Sequence, residues 1–355
     1  MKLIVQIPCY NEIDNLAQVV NSIPKSIQGI DYIEILVIDD GSSDGTSDLA
    51  RQLGVNHIVR ISNNKGLANA FRAGIEECIK QNADIIVNTD GDNQYNSEDI
   101  ALLVAPIING NAELVVGDRG GYSNKHFSFF KRSLQVFGSF VISKVIGLKI
   151  KDAVSGFRAI SKGAAQQINI VSDFSYTIEM LVQAGAKRIK VSSVPIRTNG
   201  KTRESRLFTS IPHFLKMSAT TFMRVYTMYR PLQVFMYIGV FSMMLGAMPI
   251  IRFLYYYFNG VGDGYIQSLV LGSMLIIVGF ITLLMGLVAD LVGFNRKLTE
   301  KVLHRMDMLE EHLSKQDDQH QNKDDRSKYL QAQADFYREK GVNPGAGCLP
   351  YLLQI

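Results

Sequence analysis

Two long apolar stretches in the second half of the chain limit its fold more than any other feature. Residues 232–258 contain one charged side chain, Arg252, and residues 269–289 contain none. Each stretch is longer than the ~20 residues that an α-helix needs to cross a bilayer. Buried helices of a soluble domain are the alternative, but the second stretch has no polar face to turn toward water. We therefore expect two transmembrane helices, at 232–258 and 269–289.

The charges that flank these stretches predict their orientation in the membrane. Residues 197–230 hold seven Lys or Arg and one acid, whereas the link 259–268 holds Asp263 and no basic residue. Arg296 and Lys297 follow the second stretch. Because basic residues stay on the cytoplasmic side, we expect a multi-pass protein of the inner or cell membrane. Its large N-terminal part and its C-terminus would be cytoplasmic.

Short apolar runs alternate with helical patterns through the first 210 residues. The apolar runs are residues 2–7, 33–38, 57–61, 84–87 and 113–116, and the helical patterns are 15–23, 46–53, 67–79 and 98–108. Strands that alternate with helices predict a Rossmann-like, mostly parallel sheet with helices on both faces. We therefore expect an α/β domain over residues 1–210.

The segments beside the apolar stretches are amphipathic or polar. Residues 211–231 combine apolar side chains with Lys216, Arg224 and Arg230, which is typical of an interfacial helix on an anionic leaflet. An ordinary surface helix of the first domain is the alternative. Apolar residues at helical spacing predict a cytoplasmic helical tail over 295–340, which packs on the domain or pairs with a second copy of the chain. Glycine and proline in 341–355 predict a flexible end.

Charge and cysteine content exclude two further classes of protein. The formal net charge of +4 is too small to indicate nucleic-acid binding. Cys9, Cys78 and Cys348 are odd in number and far apart, which excludes a disulfide scaffold and fits a reducing compartment. The six histidines show no metal-ligand spacing. Acids, amides and arginines are therefore the candidates for chemistry.

Acidic and amide side chains follow three of the apolar runs. These polar segments are 7–12 (IPCYNE), 37–46 (VIDDGSSDGT) and 87–95 (VNTDGDNQY). The carboxyl ends of parallel strands share one edge of a sheet, and ligands bind at that edge. Turn and capping chemistry explains Asp44 and Thr46.

Asp90 and Asp92 need a different explanation. Two carboxylates separated only by Gly91, directly after a buried strand, repel each other unless a cation lies between them. Oxygen ligands of this kind suit Mg²⁺ or Mn²⁺ held together with a diphosphate. Gln94 follows at the next alternate position and is a further candidate ligand.

Together these segments resemble the family 2 glycosyltransferases, which have the GT-A fold. Three more segments narrow the resemblance: 116–119 (VGDR), 152–158 (DAVSGFR) and 203–207 (RESRL). With the two apolar stretches they are similar to the dolichol-phosphate mannose synthase and polyprenyl-phosphate glycosyltransferase branch, over residues 1–295. Gly91 replaces the commoner alanine, and Arg206 stands where lysine is frequent.

The resemblance implies a role for each matching residue. The donor, a UDP- or GDP-sugar, would contact Pro8, Tyr10, Glu12, Asp39, Asp90, Gly91, Asp92 and Arg119. The Mg²⁺ or Mn²⁺ ligands would be Asp90, Asp92 and Gln94. The acceptor, an undecaprenyl or dolichyl phosphate, would meet Arg132, Ser155, Arg203 and Arg206. The residues most directly involved in catalysis would be Asp92, Arg119, Asp152 and Arg203.

Elementary chemistry agrees with this assignment. A lipid phosphate is already an anion at neutral pH, so it can attack an anomeric carbon without a strong base, with inversion of configuration. The protein must instead hold two phosphate groups close together, which requires a divalent cation and arginines. Arg158 is a further candidate arginine, although it could instead hold the 152–155 turn. Each of the other arginines could be a solubilising surface charge.

Three alternatives remain open at this stage. If the acceptor is a sugar hydroxyl of a lipid-linked oligosaccharide or polysaccharide, a base is required, and Asp152 could serve. A turn-stabilising or acceptor-positioning role for Asp152 is as plausible. Glu179 lies in an amphipathic helix at the expected edge of the site, with a functional or a structural role. A non-catalytic membrane scaffold of the same fold is the third alternative.

Overall fold

The structure is a computed structural model that describes residues 1–120, 129–172, 176–199, 211–260, 262–296, 298–299 and 302. Among these, the side chains of 129–135, 137, 211–215, 218, 262 and 263 are not described. Met1–Gly293 form one compact unit. The predicted tail, 295–340 and 341–355, lies almost wholly outside the described residues.

The strands and helices alternate as the sequence predicts. The strands are β1 (Lys2–Cys9), β2 (Tyr32–Asp39), β3 (His57–Arg60), β4 (Ile85–Asn88), β5 (Leu114–Asp118), β6 (Arg158–Ser161) and β7 (Val191–Pro195). The helices before the apolar stretches are α1 (Ile13–Ser22), α2 (Thr46–Gln52), α3 (Leu67–Lys80), α4 (Ile100–Ile108), α5 (Phe129–Ile146), α6 (Lys162–Gln167), α7 (Tyr176–Lys187) and α8 (Ile211–Tyr229). The apolar helices are α9 (Pro231–Phe258) and α10 (Ile266–Arg296).

Within the described residues the strands form a seven-stranded sheet of order β3-β2-β1-β4-β6-β5-β7. β1 pairs in parallel with β2 and β4, and β2 does so with β3. β6 runs antiparallel to both β4 and β5, and β7 is parallel to β5. The prediction of a mostly parallel α/β sheet is confirmed.

The sheet is buried on both faces at its centre because strands such as β1, β4 and β5 are apolar on both faces. Ile4 belongs to one core cluster, and its neighbours Leu3 and Val5 belong to the other. This alternation is the two-residue period of a strand. Phe71 of α3 packs in the first cluster and Leu16 of α1 in the second.

One polar cluster lies at the amino-terminal edge of this sheet. Glu34 on β2 is within 2.9 Å of the Lys2 amine and within 2.6 Å of the His57 imidazole. Although partial burial of the carboxyl acts in the opposite direction, these two neighbours lower the pKa of Glu34. The cluster lies at the opposite edge from the polar segments singled out in the sequence.

Part of the apolar stripe of α8 packs against the protein core, and the placement of 211–231 along a leaflet stays a prediction. Val225 and Tyr229 are buried in the core, and Phe222 and Met228 pack against the same cluster. The stripe is covered by protein because α8 packs along α7. Among its described side chains, the exposed ones include Met223 and Arg224. The alternative of a surface helix of the first domain describes this packing better.

Helices α9 and α10 form a closely packed hairpin along a seam of glycines. Glycines recur every seven residues, at 239 and 246 on α9 and at 272, 279, 286 and 293 on α10. A Cβ on Gly279 would lie 2.6 Å from Cγ of Met243 and 2.7 Å from the carbonyl oxygen of Gly239. Backbones therefore meet where small residues allow it, as in membrane helix pairs. Both helices are long and apolar enough to cross a membrane.

Candidate active site

The carboxyl ends of β2, β1 and β4 lie side by side, as the sequence analysis requires. The thiol of Cys9 lies at the end of β1, and its pKa depends on the acids near it. Burial raises its pKa well above the ordinary value, and the carboxylates of Glu12, Asp39, Asp44 and Asp90 raise it further. Acids from three separate segments of the chain therefore surround one buried point.

Asp39 and Asp40, at the end of β2, are both buried and hydrogen-bonded. Asp39 accepts hydrogen bonds from the Ser42 backbone N–H at 2.8 Å and from the Ser47 hydroxyl. Asp40 accepts from the backbone N–H groups of Lys65 and Gly66 at 2.9 and 2.8 Å. Burial raises the pKa of Asp40, although these two hydrogen bonds act in the opposite direction. Asp40 thus fixes the loop before α3.

Glu12 and Asp44 join the first two strand ends. The Glu12 backbone N–H donates to the Thr46 hydroxyl at 3.0 Å. Asp44 accepts from the backbone N–H of Ile13 at 3.1 Å and of Thr46 at 3.0 Å. These bonds agree with the turn role predicted for Asp44, whereas the predicted capping of α2 by Asp44 or Thr46 was wrong, because the N-cap of that helix is Gly45 and no side chain caps it.

Asp90, Gly91 and Asp92 follow β4 in a tight turn. A Cβ on Gly156 would lie 3.1 and 3.2 Å from the two carboxylate oxygens of Asp90, so Asp90 faces the turn before β6. A Cβ on Gly91 would lie 3.0 Å from the sulfur of Cys9. This contact gives a physical reason for glycine at position 91. Asp92 accepts a hydrogen bond from the Gln94 backbone N–H at 3.2 Å.

The donor chemistry of this turn suits a hard divalent cation. Asp90, Asp92 and Gln94 offer only oxygen ligands, which Mg²⁺ and Mn²⁺ prefer. Within the described part of the chain, no group of three or more His, Cys, Asp or Glu is arranged to hold a metal by itself. The turn therefore fits a cation whose remaining ligands come from a bound diphosphate or water.

Arg119, just after β5, forms a two-pronged ion pair with Asp152. Its Nε donates to Asp152 Oδ2 at 2.6 Å, and its Nη2 donates to Oδ1 at 2.9 Å. Asp152 is fully buried, and the Arg119 side chain is 15% exposed. Burial alone would lower the pKa of Arg119, but Asp152 raises it above its ordinary value. The pair places a fixed positive charge beside the Asp90 turn.

Arg158 is a structural residue and not a phosphate-binding arginine. It is 1% exposed, and its guanidinium donates to the carbonyl oxygens of Ala153, Ser155 and Thr177 at 2.7 to 2.8 Å. Burial lowers its pKa to about 10. Of the two roles considered for Arg158, the structure supports the one that holds the 152–155 turn, because its guanidinium N–H groups donate to these carbonyl oxygens.

Ser155 and Glu179, two further candidates, are completely buried. The Ser155 hydroxyl has no hydrogen-bond partner among the described residues. Glu179 accepts from the backbone N–H groups of Val171 and Ser172 at 3.1 and 2.8 Å. The structure therefore supports the structural alternative for Glu179.

A buried polar network under Asp90 was not foreseen from the sequence. Gln6 donates to Asn88 at 2.9 Å. Asn88 in turn donates to the Gly156 carbonyl at 2.9 Å and to the Tyr176 hydroxyl at 3.1 Å. Gln6 is a polar residue inside an otherwise apolar run, and that signal could have pointed to the network. It links β1, β4 and α7 directly behind the Asp90 turn.

The other predicted site residues divide into two groups. Pro8 is buried in β1, and Tyr10 is 40% exposed at its end. Arg203 and Arg206 lie outside the described residues, as does the side chain of Arg132 in α5.

Comparison with known proteins confirms the class that this sheet and its acidic edge define. The family model described as Glycosyl transferase family 2 matches residues 4–169. A UDP-N-acetylglucosamine–dolichyl-phosphate N-acetylglucosaminyltransferase of Methanococcus voltae is 30% identical over 213 residues, which are 54% of this chain and 83% of that protein. The chain belongs to glycosyl transferase family 2, and the predicted glycosyltransferase class and GT-A fold are confirmed.

A second relative supports the predicted branch of the family. A dolichol-phosphate mannosyltransferase of Pyrococcus furiosus is 30% identical over 231 residues, which are 61% of this chain and 64% of that protein. This chain therefore spans just under two thirds of that relative. The glucosyl-3-phosphoglycerate synthase of Mycobacterium tuberculosis is 19% identical with a TM-score of 0.47, over 64% of this chain and 78% of that one. That similarity is too low to support an inference about ligands.

Proposed function

We propose that this chain transfers one sugar from a nucleoside-diphosphate sugar to a polyprenyl phosphate at the cytoplasmic face of a membrane. The donor is a UDP- or GDP-sugar, and the acceptor is undecaprenyl or dolichyl phosphate. Transfer inverts the anomeric configuration and depends on Mg²⁺ or Mn²⁺. The names of the relatives support the acceptor class, since both describe transfer to dolichyl phosphate.

The pairing of Asp152 with Arg119 carries the proposal. A general base must reach the proton that it removes. Both oxygens of Asp152 instead accept hydrogen bonds from Arg119, and the carboxylate is fully buried. A sugar hydroxyl needs such a base, whereas a phosphate oxygen that is already ionised does not. The site thus favours a phosphate acceptor over the hydroxyl alternative.

The residues of the site divide the remaining work. Asp90 and Asp92 would hold the cation with Gln94, and the cation would neutralise the departing diphosphate when bound. Arg119, kept charged and oriented by Asp152, would face the negative charge of the phosphates. Asp39 and Glu12 would hold the nucleoside. Fixed charges of this kind are effective because they need no reorganisation during reaction.

The apolar hairpin would bring this site to the lipid. Helix α8 packs on α7 of the α/β domain and is followed directly by α9. A domain joined to a membrane hairpin in this way can meet the head group of a long-chain lipid phosphate without extracting it. The basic residues that flank the hairpin in the sequence favour the cytoplasmic side for the α/β domain.

The test uses the purified full chain in lipid nanodiscs. The protein is incubated with a panel of UDP- and GDP-sugars, polyprenyl phosphate and Mn²⁺ or Mg²⁺, and the lipid fraction is analysed by mass spectrometry. We expect a product heavier than polyprenyl phosphate by one sugar residue. Chelation of the metal, or the variant Asp92→Asn, should remove it.

Two controls separate the alternatives. Free polyprenol, which has the same chain but no phosphate, should not be glycosylated. Transfer to a lipid-linked sugar but not to polyprenyl phosphate would contradict the proposal in favour of the hydroxyl acceptor. Absence of metal-dependent nucleotide binding in calorimetry would favour the scaffold alternative.

A further inference from the structure

A three-residue segment after β7, residues 197–199 (the strap), crosses the loop that follows Asp92. Asn199 makes three hydrogen bonds to this loop. Its backbone N–H donates to the carbonyl oxygen of Gln94 at 2.9 Å. Its side-chain Nδ2 donates to the carbonyl oxygens of Asn93 at 3.0 Å and Tyr95 at 3.4 Å. One residue thereby holds three consecutive carbonyl groups.

The loop that Asn199 holds is strained and carries two of the expected metal ligands. Asn93 has a φ of 58°, a left-handed conformation that costs energy for a residue with a side chain. Asp92 accepts from the Gln94 N–H at 3.2 Å, so the direction of the Asp92 carboxylate depends on where the backbone at 94 lies. Without the Asn199 side chain, the carbonyl groups of Asn93 and Tyr95 would lose this donor. The positions of Asp92 and Gln94 relative to each other would then vary more.

The strap is itself firmly anchored. Arg197 donates to Asp99 through its backbone N–H at 2.6 Å, through Nε at 2.9 Å and through Nη2 at 2.6 Å. The Asp99 side chain is 2% exposed, immediately before α4. Thr198 forms an antiparallel bridge with Tyr95. Hydrogen bonds to Asp99 and the bridge to Tyr95 therefore hold the strap in place.

We propose that Asn199 is a positioning residue for the divalent-cation site. It holds the backbone of residues 93–95 so that Asp92 and Gln94 keep the spacing that the cation needs. The inference rests on the proposed function, because it takes these two residues as ligands. Residues that orient metal ligands commonly change metal affinity by about 10- to 100-fold when they are replaced.

The test measures metal affinity directly. Mn²⁺ is titrated into the full-length protein with UDP and, separately, with GDP, and free Mn²⁺ is followed by electron paramagnetic resonance. Asn199→Ala, which keeps the backbone N–H but loses both side-chain contacts, should weaken Mn²⁺ binding by roughly 10-fold. Asn199→Ser, which keeps one side-chain donor, should fall between Asn199→Ala and the wild type.

The matched control is Asn56→Ala. Asn56 also makes a side-chain hydrogen bond to a backbone group, accepting from the Ile35 N–H at 2.9 Å, but it precedes β3 at the opposite edge of the sheet. It should leave Mn²⁺ affinity unchanged. Metal-free nucleotide affinity should be the same for Asn199→Ala and the wild type, and Mn²⁺ affinity should fall by more than the small drop in metal-free melting temperature explains, which a merely structural role would not produce.

The outcomes distinguish this inference from the proposed function. Equal Mn²⁺ affinity in Asn199→Ala and the wild type overturns the inference alone. An equal loss in Asn56→Ala, or a loss of Mn²⁺ binding that only follows a lower metal-free melting temperature, also overturns it. If the wild type binds Mn²⁺ no better than Asp92→Asn does, the proposed function itself fails.

Discussion

Replacing Asp152 by asparagine should destabilise the protein and slow the reaction without abolishing it. The substitution keeps the shape of the side chain but removes the charge opposite Arg119, where Nε and Nη2 now donate at 2.6 and 2.9 Å. Removing one partner of a buried ion pair costs about 3–5 kcal/mol. Because asparagine retains one acceptor oxygen, we expect a loss of about 3 kcal/mol in the free energy of unfolding. In a domain of this size the melting temperature should fall by roughly 10 °C.

The effect on turnover should be smaller than the loss of a base. Loss of one charge-assisted hydrogen bond to Arg119, worth about 1.5 kcal/mol, corresponds to a roughly 10-fold lower rate. The assay is sugar transfer to polyprenyl phosphate, followed together with thermal unfolding in the same detergent. Arg119→Gln in combination with Asp152→Asn should destabilise by less than the sum of the two single variants, because the two residues are directly paired.

One result would refute this reasoning. If Asp152→Asn leaves the melting temperature unchanged, binds nucleotide normally and lowers turnover about 1,000-fold or more, then Asp152 acts as a general base. The phosphate acceptor would then lose its main support, and a hydroxyl acceptor would replace it.

Three further predictions concern the hairpin, the sheet edge and the Asp90 turn. Gly279→Leu, which places a large side chain in the glycine seam, should lower the free energy of unfolding by about 1–3 kcal/mol and lower the melting temperature in detergent. Val278 is exposed, so Val278→Leu should leave the melting temperature unchanged. Glu34 has a pKa below its ordinary value of 4.5, so the stability that it contributes is present above that pH and is lost as pH falls through its folded-state pKa. Glu34→Gln should therefore melt below the wild type at neutral pH and converge with it once the pH falls below the folded-state pKa of Glu34; a constant difference would contradict this. Gly91→Ala should weaken Mn²⁺-dependent nucleotide binding in calorimetry, and an added Cys9→Ala should restore it; no restoration would show that the sulfur contact is not the cause.

The sequence predicted the first five strands closely, because each is a short apolar run, and β1, β4 and β5 are almost wholly buried. The predicted run 33–38 became Tyr32–Asp39, and 57–61 became His57–Arg60. The sequence did not predict β6 or β7. β6 begins at Arg158, a charged residue, and the partly exposed β7 lies outside the core runs. Their place in the sheet depends on pairing with β4 and β5 across more than 40 residues of chain.

The acidic edge followed from the sequence alone, since the carboxyl ends of parallel strands meet wherever such a sheet forms. The two long apolar helices also followed from it, because length and the lack of charge are local properties. The contacts that each side chain makes depended on the tertiary structure. In the folded protein Arg158 donates to three carbonyl groups, and Asp152 pairs with Arg119. Apolar side chains of α8 pack against the core beside α7, and Asn199 donates to the loop after Asp92. Except for the bonds from Arg158 to Ala153 and Ser155, these contacts join residues that are distant in the chain, so no local pattern contains them.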